Sequence, residues 1–388
     1  MSEQVIDNFL MPYAAGHDGL EKEMEKRFKS FRHLLKKDLK QSESYLKAQY
    51  IIHRVFKEGG LIHKYLKRGA LNFLNPEERN YLEILAAHPW KFSFSEIIES
   101  PSENFYRMED VFSGESFLLY SPNVTTILNE QAAMLWFNLI SFNGACWQSY
   151  GPIVAYQSFD IDDIFFFATE LNPAIESDED ILRNVEENPV PYMMLLTGSR
   201  FPLAVHKGEP LILTMAEFTL NDFRTDSLNK DFKVESSHGV FCITPTRFND
   251  SMPLATAYYD EEQKLLLLSA QTDPSFQVLV ELLNRYGIGV VDDPQIRVHM
   301  VMLSLITKIL KRDIQLDPYE KLFSVKSTRE NSDNLDKLNE ILRLALPDIN
   351  ANKNPDVESL AKKAGIDVET ARDLLEQVIS RINYLKSN

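Results

Sequence analysis

Leu20, Met24, Phe28, Phe31, Leu35 and Leu39 recur at spacings of 4, 4, 3, 4 and 4. That is the apolar stripe of an amphipathic helix. A basic stripe runs beside it: Lys22, Lys26, Lys29, Arg32, Lys36 and Lys40. A straight helix over this span is about 27 Å long. A second helix is expected through Tyr45, Ala48, Ile52 and Val55, ended by Gly59-Gly60. Asn75-Pro76-Glu77-Glu78 opens a third: Asn75 can cap, Pro76 suits the first helical position and Glu78 can reach back. His88-Pro89 stops it. The period then changes to that of strands at Phe92–Ile98, Phe105–Phe112 and Phe117–Tyr120, with a turn at Ser113-Gly114-Glu115.

Beyond Leu128 the pattern stays mostly extended. Asn143-Gly144 between apolar runs predicts a tight hairpin. Asp160 and Ser177 each cap a helix. Strands are expected at Val190–Leu196, Pro210–Thr219, Val240–Thr244, Leu254–Tyr259 and Leu265–Ala270, the last two joined by a turn at Asp260-Glu261-Glu262. Asp273-Pro274 opens a helix, and Ile296–Leu310 reads as another. Ser327–Asn334 is a polar linker, followed by a short helix Leu335–Leu346 and a closing helical unit. Hairpin connections with packed helices indicate an α+β chain with a mainly antiparallel sheet. The expected domains are a helical region 1–90, a central α+β domain 91–326 and a helical module 327–388.

The chain has 388 residues, 44% hydrophobic and 25% charged, enough for two or three domains with sizeable cores. No apolar run reaches the ~18 residues that span a bilayer. No basic segment followed by an apolar run opens the chain. Two cysteines, Cys146 and Cys242, read as buried free thiols. A cytoplasmic protein with no membrane partner is expected. The net charge of −16 argues against the whole molecule coating a polyanion. The charge is uneven. Residues 21–70 carry fourteen Lys/Arg against six Asp/Glu, a local excess of +8 that leaves −24 for the rest. Lys29, Arg32, Lys36 and Lys40 are therefore candidate contacts for a polyanion or an acidic partner; alternatively they form a solvated face whose stems cover apolar surface.

Catalytic signatures are missing: no phosphate-binding Gly-Lys-Ser/Thr loop, no dinucleotide glycine fingerprint, no Gly-x-Ser-x-Gly and no His-Glu-x-x-His. Asp160, Asp162 and Asp163 can hold a divalent cation, but acids at a helix start also complement its dipole, and that is the favoured reading. His33, His53 and His63 have no metal-ligand spacing. Cys242 and His238, four apart on one strand, would stand about 13 Å apart, too far for proton transfer unless Gly239 bends the chain. No metal or cofactor is expected, and the sequence names no catalytic residue.

Val357–Val378 places Ala361 where two helices approach, Gly365 in a turn, Ile366 at the apolar turn position, and Ala371 and Leu374 on a second helix. The segment 356–385 resembles a helix-turn-helix. Its second helix is acidic apart from Arg372, the one candidate polyanion contact there. Val368, Ala371, Leu375, Val378, Ile382 and Leu385 add a short heptad pattern suited to bundle packing or partner docking. Phe92–Leu128, with Asp110-Val111-Phe112-Ser113-Gly114-Glu115, and the hairpin and helix Ala255–Leu283 resemble uncharacterised bacterial proteins of the SEC-C-associated type. That resemblance implies no activity. The cysteines of a SEC-C zinc motif are absent from the C-terminus. The sequence therefore favours a non-enzymatic interaction or regulatory protein with a protein partner or a second copy of itself. Nucleic-acid binding is the alternative, and an enzyme with an unrecognised site the third reading.

Overall fold

The computed structural model describes residues 3–130, 133–221, 223, 228, 230–248, 254–323, 355–364, 368 and 371–372. The linker 327–334, the helix 335–346 and most of the helix-turn-helix-like segment lie outside the described residues. The chain forms two compact units, residues 1–234 with 243–315, and residues 235–242 with 316–388. The class is α+β. Among the described residues no helix is long and apolar enough to cross a membrane.

The N-terminal helices are α1 (Met11–His17), α2 (Leu20–Phe28), α3 (Arg32–Lys37) and α4 (Glu43–Phe56), preceded by a π-helical segment Glu3–Leu10. Every residue of the apolar stripe from Leu20 to Leu39 is buried. The helix is not continuous, however. A 3-10 turn, Lys29–Phe31, separates α2 from α3, and α3 ends at Lys37. The break falls where the apolar spacing drops to three, which matches the three residues per turn of a 3-10 helix. The short α5 (Ile62–Tyr65) leads to α6 (Pro76–Ala87), whose capping box forms as expected. Glu78 N–H donates to Asn75 Oδ1 at 2.9 Å, and Asn75 N–H to Glu78 Oε2 at 3.0 Å.

Strands β1 (Lys91–Ser102), β2 (Phe105–Asp110), β3 (Ser116–Tyr120), β4 (Leu135–Phe142) and β5 (Trp147–Tyr156) close a barrel in the order β1-β2-β3-β5-β4. All pairs are antiparallel except β3 with β5, which is parallel and short. Helix α7 (Pro122–Glu130), absent from the sequence-based expectation, links β3 to β4. A five-stranded Greek-key barrel with this connectivity has the topology of an OB-fold. Its interior holds Tyr106, Met108, Phe117, Leu119, Trp136 and Ile140.

The expected tight Asn143-Gly144 turn is longer: residues 143–146 connect β4 and β5. Gly144 takes a positive φ of 97°, while Asn143 Oδ1 accepts the N–H groups of Ala145 and Cys146 at 2.9 Å each.

Next come α8 (Ile161–Leu171), α9 (Asp178–Glu187) and α10 (Pro189–Met193), the last running into a 3-10 turn, Met194–Gly198. The strand expected at 190–196 is thus helical. Pro189 and Pro191 lack the N–H that a strand ladder needs and suit a first helical turn.

After a minor hairpin, β6 (Val205–His206) with β7 (Glu209–Pro210), the second sheet is built from β8 (Ile212–Thr219), β9 (Phe232–Ser237), β10 (Val240–Pro245), β11 (Ala255–Asp260), β12 (Leu265–Ala270) and β13 (Ile296–His299). Their order is β13-β8-β12-β11-β10-β9. Helix α11 (Asp273–Arg285) follows β12, and α12 (Met300–Leu310) follows β13. The helix expected over 296–310 therefore starts four residues late. Ile296–His299 pairs instead with Met215–Ile212 of β8. In the second unit, residues 357–364 form a helix and Ala361 is buried.

The β2–β3 turn depends on one carboxylate. Asp110 is buried, and its Oδ2 accepts from Ser93 Oγ at 2.7 Å. Its Oδ1 accepts from the N–H groups of Phe112 at 3.2 Å and Ser113 at 2.9 Å. Gly114, at φ +66°, then returns its N–H to the Asp110 carbonyl at 2.8 Å. Asp110→Ala strands the Ser93 hydroxyl and frees the turn, and should cost about 2–4 kcal/mol. Urea unfolding measures this; a loss under about 0.5 kcal/mol, the range of an ordinary surface change, would show that the turn does not rely on it.

Candidate functional site

Two places in the first unit concentrate unusual chemistry. The first is the outer wall of the barrel. On the β1–β4 side that wall is covered. Phe92 and Phe94 stack on Phe137 with ring centroids 5.3 and 4.4 Å apart. His53 of α4 meets Phe92 at 4.8 Å, and Tyr192 of α10 meets Phe94 edge-on at 6.1 Å. Glu186 of α9 fastens the layer. Its Oε1 accepts the Phe92 N–H at 2.9 Å, and its Oε2 lies 2.7 Å from His53 Nε2.

Among the described residues of the first unit, the β2–β3 side carries no such cover. Alternation along each strand sends Phe105, Arg107 and Glu109 of β2, with Ser116, Leu118 and Tyr120 of β3, outward. Phe105 lies directly opposite Tyr120, and Arg107 opposite Leu118. The Phe105 and Tyr120 rings are 5.0 Å apart. On β1 the register shifts between Ile97 and Glu99, so Ile98 is a bulge residue and stands 53% exposed. Leu118 and Tyr120 are 38% and 37% exposed. Glu99 accepts from Arg107 Nε at 2.6 Å. The result is an apolar and aromatic strip with one arginine, rimmed by carboxylates. Residues 91–156 hold seven Asp/Glu against two Lys/Arg, a balance that repels phosphate.

The second place is the junction of α8, α11 and β13. Asp160 caps α8 as expected: its Oδ1 accepts from Asp162 N at 3.1 Å and Asp163 N at 3.3 Å. The expected cap at the start of α8 is therefore present, and the fold adds partners that the sequence did not reveal. Arg297 Nη1 donates to Asp160 Oδ2 at 2.7 Å and Asp162 Oδ2 at 3.1 Å, and Nη2 to Asp273 Oδ2 at 3.0 Å. Buried His299 binds buried Asp163 twice, by its backbone N–H to Oδ1 at 2.8 Å and by Nδ1 to Oδ2 at 2.7 Å. The alternation of Ile296–His299 places both basic residues on one face of β13.

One oxygen each of Asp160 and Asp163 and a ring nitrogen of His299 lie within 4.8 Å of one another. That is a cation-sized spacing, but the lone pairs are committed. Asp160 Oδ2 already holds a guanidinium, and Asp163 Oδ2 also accepts the Asp160 N–H at 2.9 Å. A metal here would have to displace Arg297 and compete with its positive charge. The cluster works as a hydrogen-bonded clamp between α8, α11 and β13.

Burial opposes the charged form of His299, yet the bond to Asp163 and the charges of Asp163 and Asp160 outweigh it and raise the imidazole above its ordinary value of 6.5. Burial likewise raises Asp163 and Asp162, against the pull of His299 and Arg297 respectively.

Lys29, Arg32, Lys36 and Lys40 are all exposed. They do not share one continuous helical face. Lys29 belongs to the 3-10 turn, Arg32 and Lys36 to α3, and Lys40 follows α3. Arg32 lies 4.0 Å from Glu25. Arg372, also exposed, belongs to the second unit. His238 sits with Gly239 at positive φ in the turn between β9 and β10, where Ser237 Oγ lies 2.9 Å from its Nδ1.

The residues that reasoning on sequence missed are Arg297 and His299, hidden by the helical reading of 296–310, and the outward set of β2 and β3. The β2–β3 alternation was the available signal for the latter. No family model matches the chain, and no curated protein or solved structure matches it.

The His299 shift sets a sign. A histidine raised on folding adds stability in full below about 6.5 and loses it as pH rises through the raised value. The raised Asp163 has the same sign, but its contribution begins to fall at lower pH, above the ordinary carboxylate value of 3.8. Unfolding free energy should therefore fall as pH climbs above about 6.5. His299→Gln should flatten that slope. Denaturant unfolding at a series of pH values checks it, and an unchanged slope in the variant would refute the assignment.

Proposed function

We propose that this chain is a non-catalytic interaction or regulatory protein that recognises a protein partner through the β2–β3 face of its barrel. The observation that carries the reading is the contrast around the barrel wall. Aromatic stacking seals the β1–β4 side under helices, while Ile98, Leu118 and Tyr120 remain exposed beside Phe105 and Arg107. Exposed aromatic and aliphatic side chains next to an arginine have the composition of a binding hot spot. Fold likeness alone would suggest nucleic acid. The carboxylates Glu96, Glu99, Glu103 and Glu109 around the strip oppose that and favour lysine or arginine at the partner's rim.

The test compares wild type with a variant carrying Ile98→Glu, Leu118→Glu and Tyr120→Ala. Being exposed, these changes should leave the melting transition nearly unaltered. Affinity-purified wild type should retain a partner, or form a dimer, that the variant loses. Hot-spot truncation of this kind costs about 2 kcal/mol or more, at least a thirtyfold loss. Identical association by the two proteins would rule this face out.

A second reading rests on the exposed cations Lys29, Arg32, Lys36 and Lys40, which suit an acidic or nucleic-acid partner. Replacing all four with Glu should leave folding intact, since each side chain is exposed. Binding of single- or double-stranded oligonucleotide at low salt, lost in that variant and weakened by added salt, would favour this reading over the barrel face. Arg372→Glu, measured in parallel, reports any contribution of the C-terminal unit.

A further inference from the structure

We propose that a cavity between the N-terminal segment, α4 and β5 is a binding site for a small organic ammonium ion. The cavity has a volume of about 430 Å³, within the range of ligand sites. Met11, Ala48 and Tyr45, which is largely exposed, line it together with the polar groups of Asp7 and Tyr150.

The wall is built for rigidity. Gln49, buried in α4, donates from Nε2 to the carbonyls of Tyr150 at 2.8 Å and Pro152 at 3.3 Å. Between them Gly151 takes φ +75°, and a Cβ there would stand 3.1 Å from Gln49 Nε2. Glycine is thus required both for the backbone angle and for the close approach. The kink sets Tyr150 with its ring 5.3 Å from Trp90 and its hydroxyl donating to Asp7 Oδ1. Burial, together with that bond, raises the Tyr150 hydroxyl well above its ordinary value, so it remains a donor to Asp7.

The chemistry selects a cation. Tyrosine rings offer their negative faces to an ammonium, and Asp7 supplies a formal charge beside them. Among the described residues lining the cavity none is basic. A neighbouring depression of about 190 Å³ shares Met11, Ser44 and Ala48 and reaches Glu21. The lysine there, Lys47, is occupied by Glu25 at 2.6 Å and Glu43 at 3.0 Å. An aliphatic body can therefore extend from the ammonium head without meeting a free positive charge. An anion would face Asp7, and a neutral ligand of the same shape would gain neither the ion pair nor the cation–π contact.

The test is calorimetric titration of the full-length protein with choline, with putrescine, and with 3,3-dimethylbutan-1-ol, the uncharged isostere of choline. One site per chain is expected for at least one of the cations, with the isostere at least about tenfold weaker, a difference of about 1.4 kcal/mol. Asp7→Asn should reduce cation affinity by a similar factor, and Tyr45→Ala by threefold or more. Tyr150→Phe keeps the carboxylate and should change affinity less than Asp7→Asn does. Ala48→Trp should fill the cavity and abolish binding. A melting transition checks that each variant folds; should Asp7→Asn fail to fold, Tyr45→Ala and Ala48→Trp decide. Absence of binding by either cation would overturn the proposal. So would equal binding of the isostere, or cation binding unaltered by Tyr45→Ala and Ala48→Trp, which would mark general attraction to an acidic protein.

Discussion

The barrel wall formed by Phe92, Phe94 and Phe137 cannot be left in water. A stack of aromatic rings that large must be covered, and the chain spends helices on both sides of the barrel sequence to do so: α4 from before it, α9 and α10 from after it. Burying it fixes which way the barrel faces, because each strand alternates sides. Once Phe92 and Phe94 point to the helices, Ser93 and Ser95 point inward, and both are buried. The inward serine then meets Asp110, whose carboxylate holds the β2–β3 turn. The exposure of Leu118 and Tyr120 beside half-buried Phe105 on the other side follows from the same choice. Glu186 links the helical cover to the strand backbone and to His53 in one stroke, which makes the covering layer specific as well as apolar.

A different device joins the second sheet to the helices beside it. Asp160, Asp162 and Asp273 lie in or beside first turns of helices, where carboxylates are favoured by the dipole. Three carboxylates brought together would repel one another. Arg297 bridges them, and the fork geometry of guanidinium allows a single side chain to do this. His299 and Asp163 form the buried half of the same junction. Such a pair is costly to desolvate, so its value lies in fixing where β13 meets α8. The lone pairs of this arrangement are taken up by Arg297, His299 and the Asp160 N–H.

The proposed recognition face and the ammonium cavity use opposite sides of β-strand geometry. The first relies on regular alternation that exposes every second residue of β2 and β3. The second relies on an interruption, where Gly151 and Gln49 bend β5 toward α4. Both carry carboxylates at their edges, in keeping with a chain of net charge −16, and both therefore favour cationic groups on whatever they bind.

The capped helices, the three strands between Lys91 and Tyr120 and the 255–270 hairpin were legible in the sequence, because their causes are local. Asn75 with Glu78, Asp160 with Asp163 and Ser177 with Asp180 make their bonds within four residues of chain. The apolar stripe from Leu20 to Leu39 likewise foretold which residues are buried, though not that α2 and α3 are separate. Local signals failed where partners are distant. Ile296–His299 has the composition of a helix start and becomes a strand because β8 offers it a ladder. That single change creates the Arg297 and His299 contacts, across 135 to 137 positions to α8. Closure of the barrel through the parallel β3–β5 pair, the helical cover over its β1–β4 side, and the Gln49–Gly151 approach over about a hundred positions are likewise products of the tertiary structure. No periodicity within a segment encodes which surface of another segment it will meet.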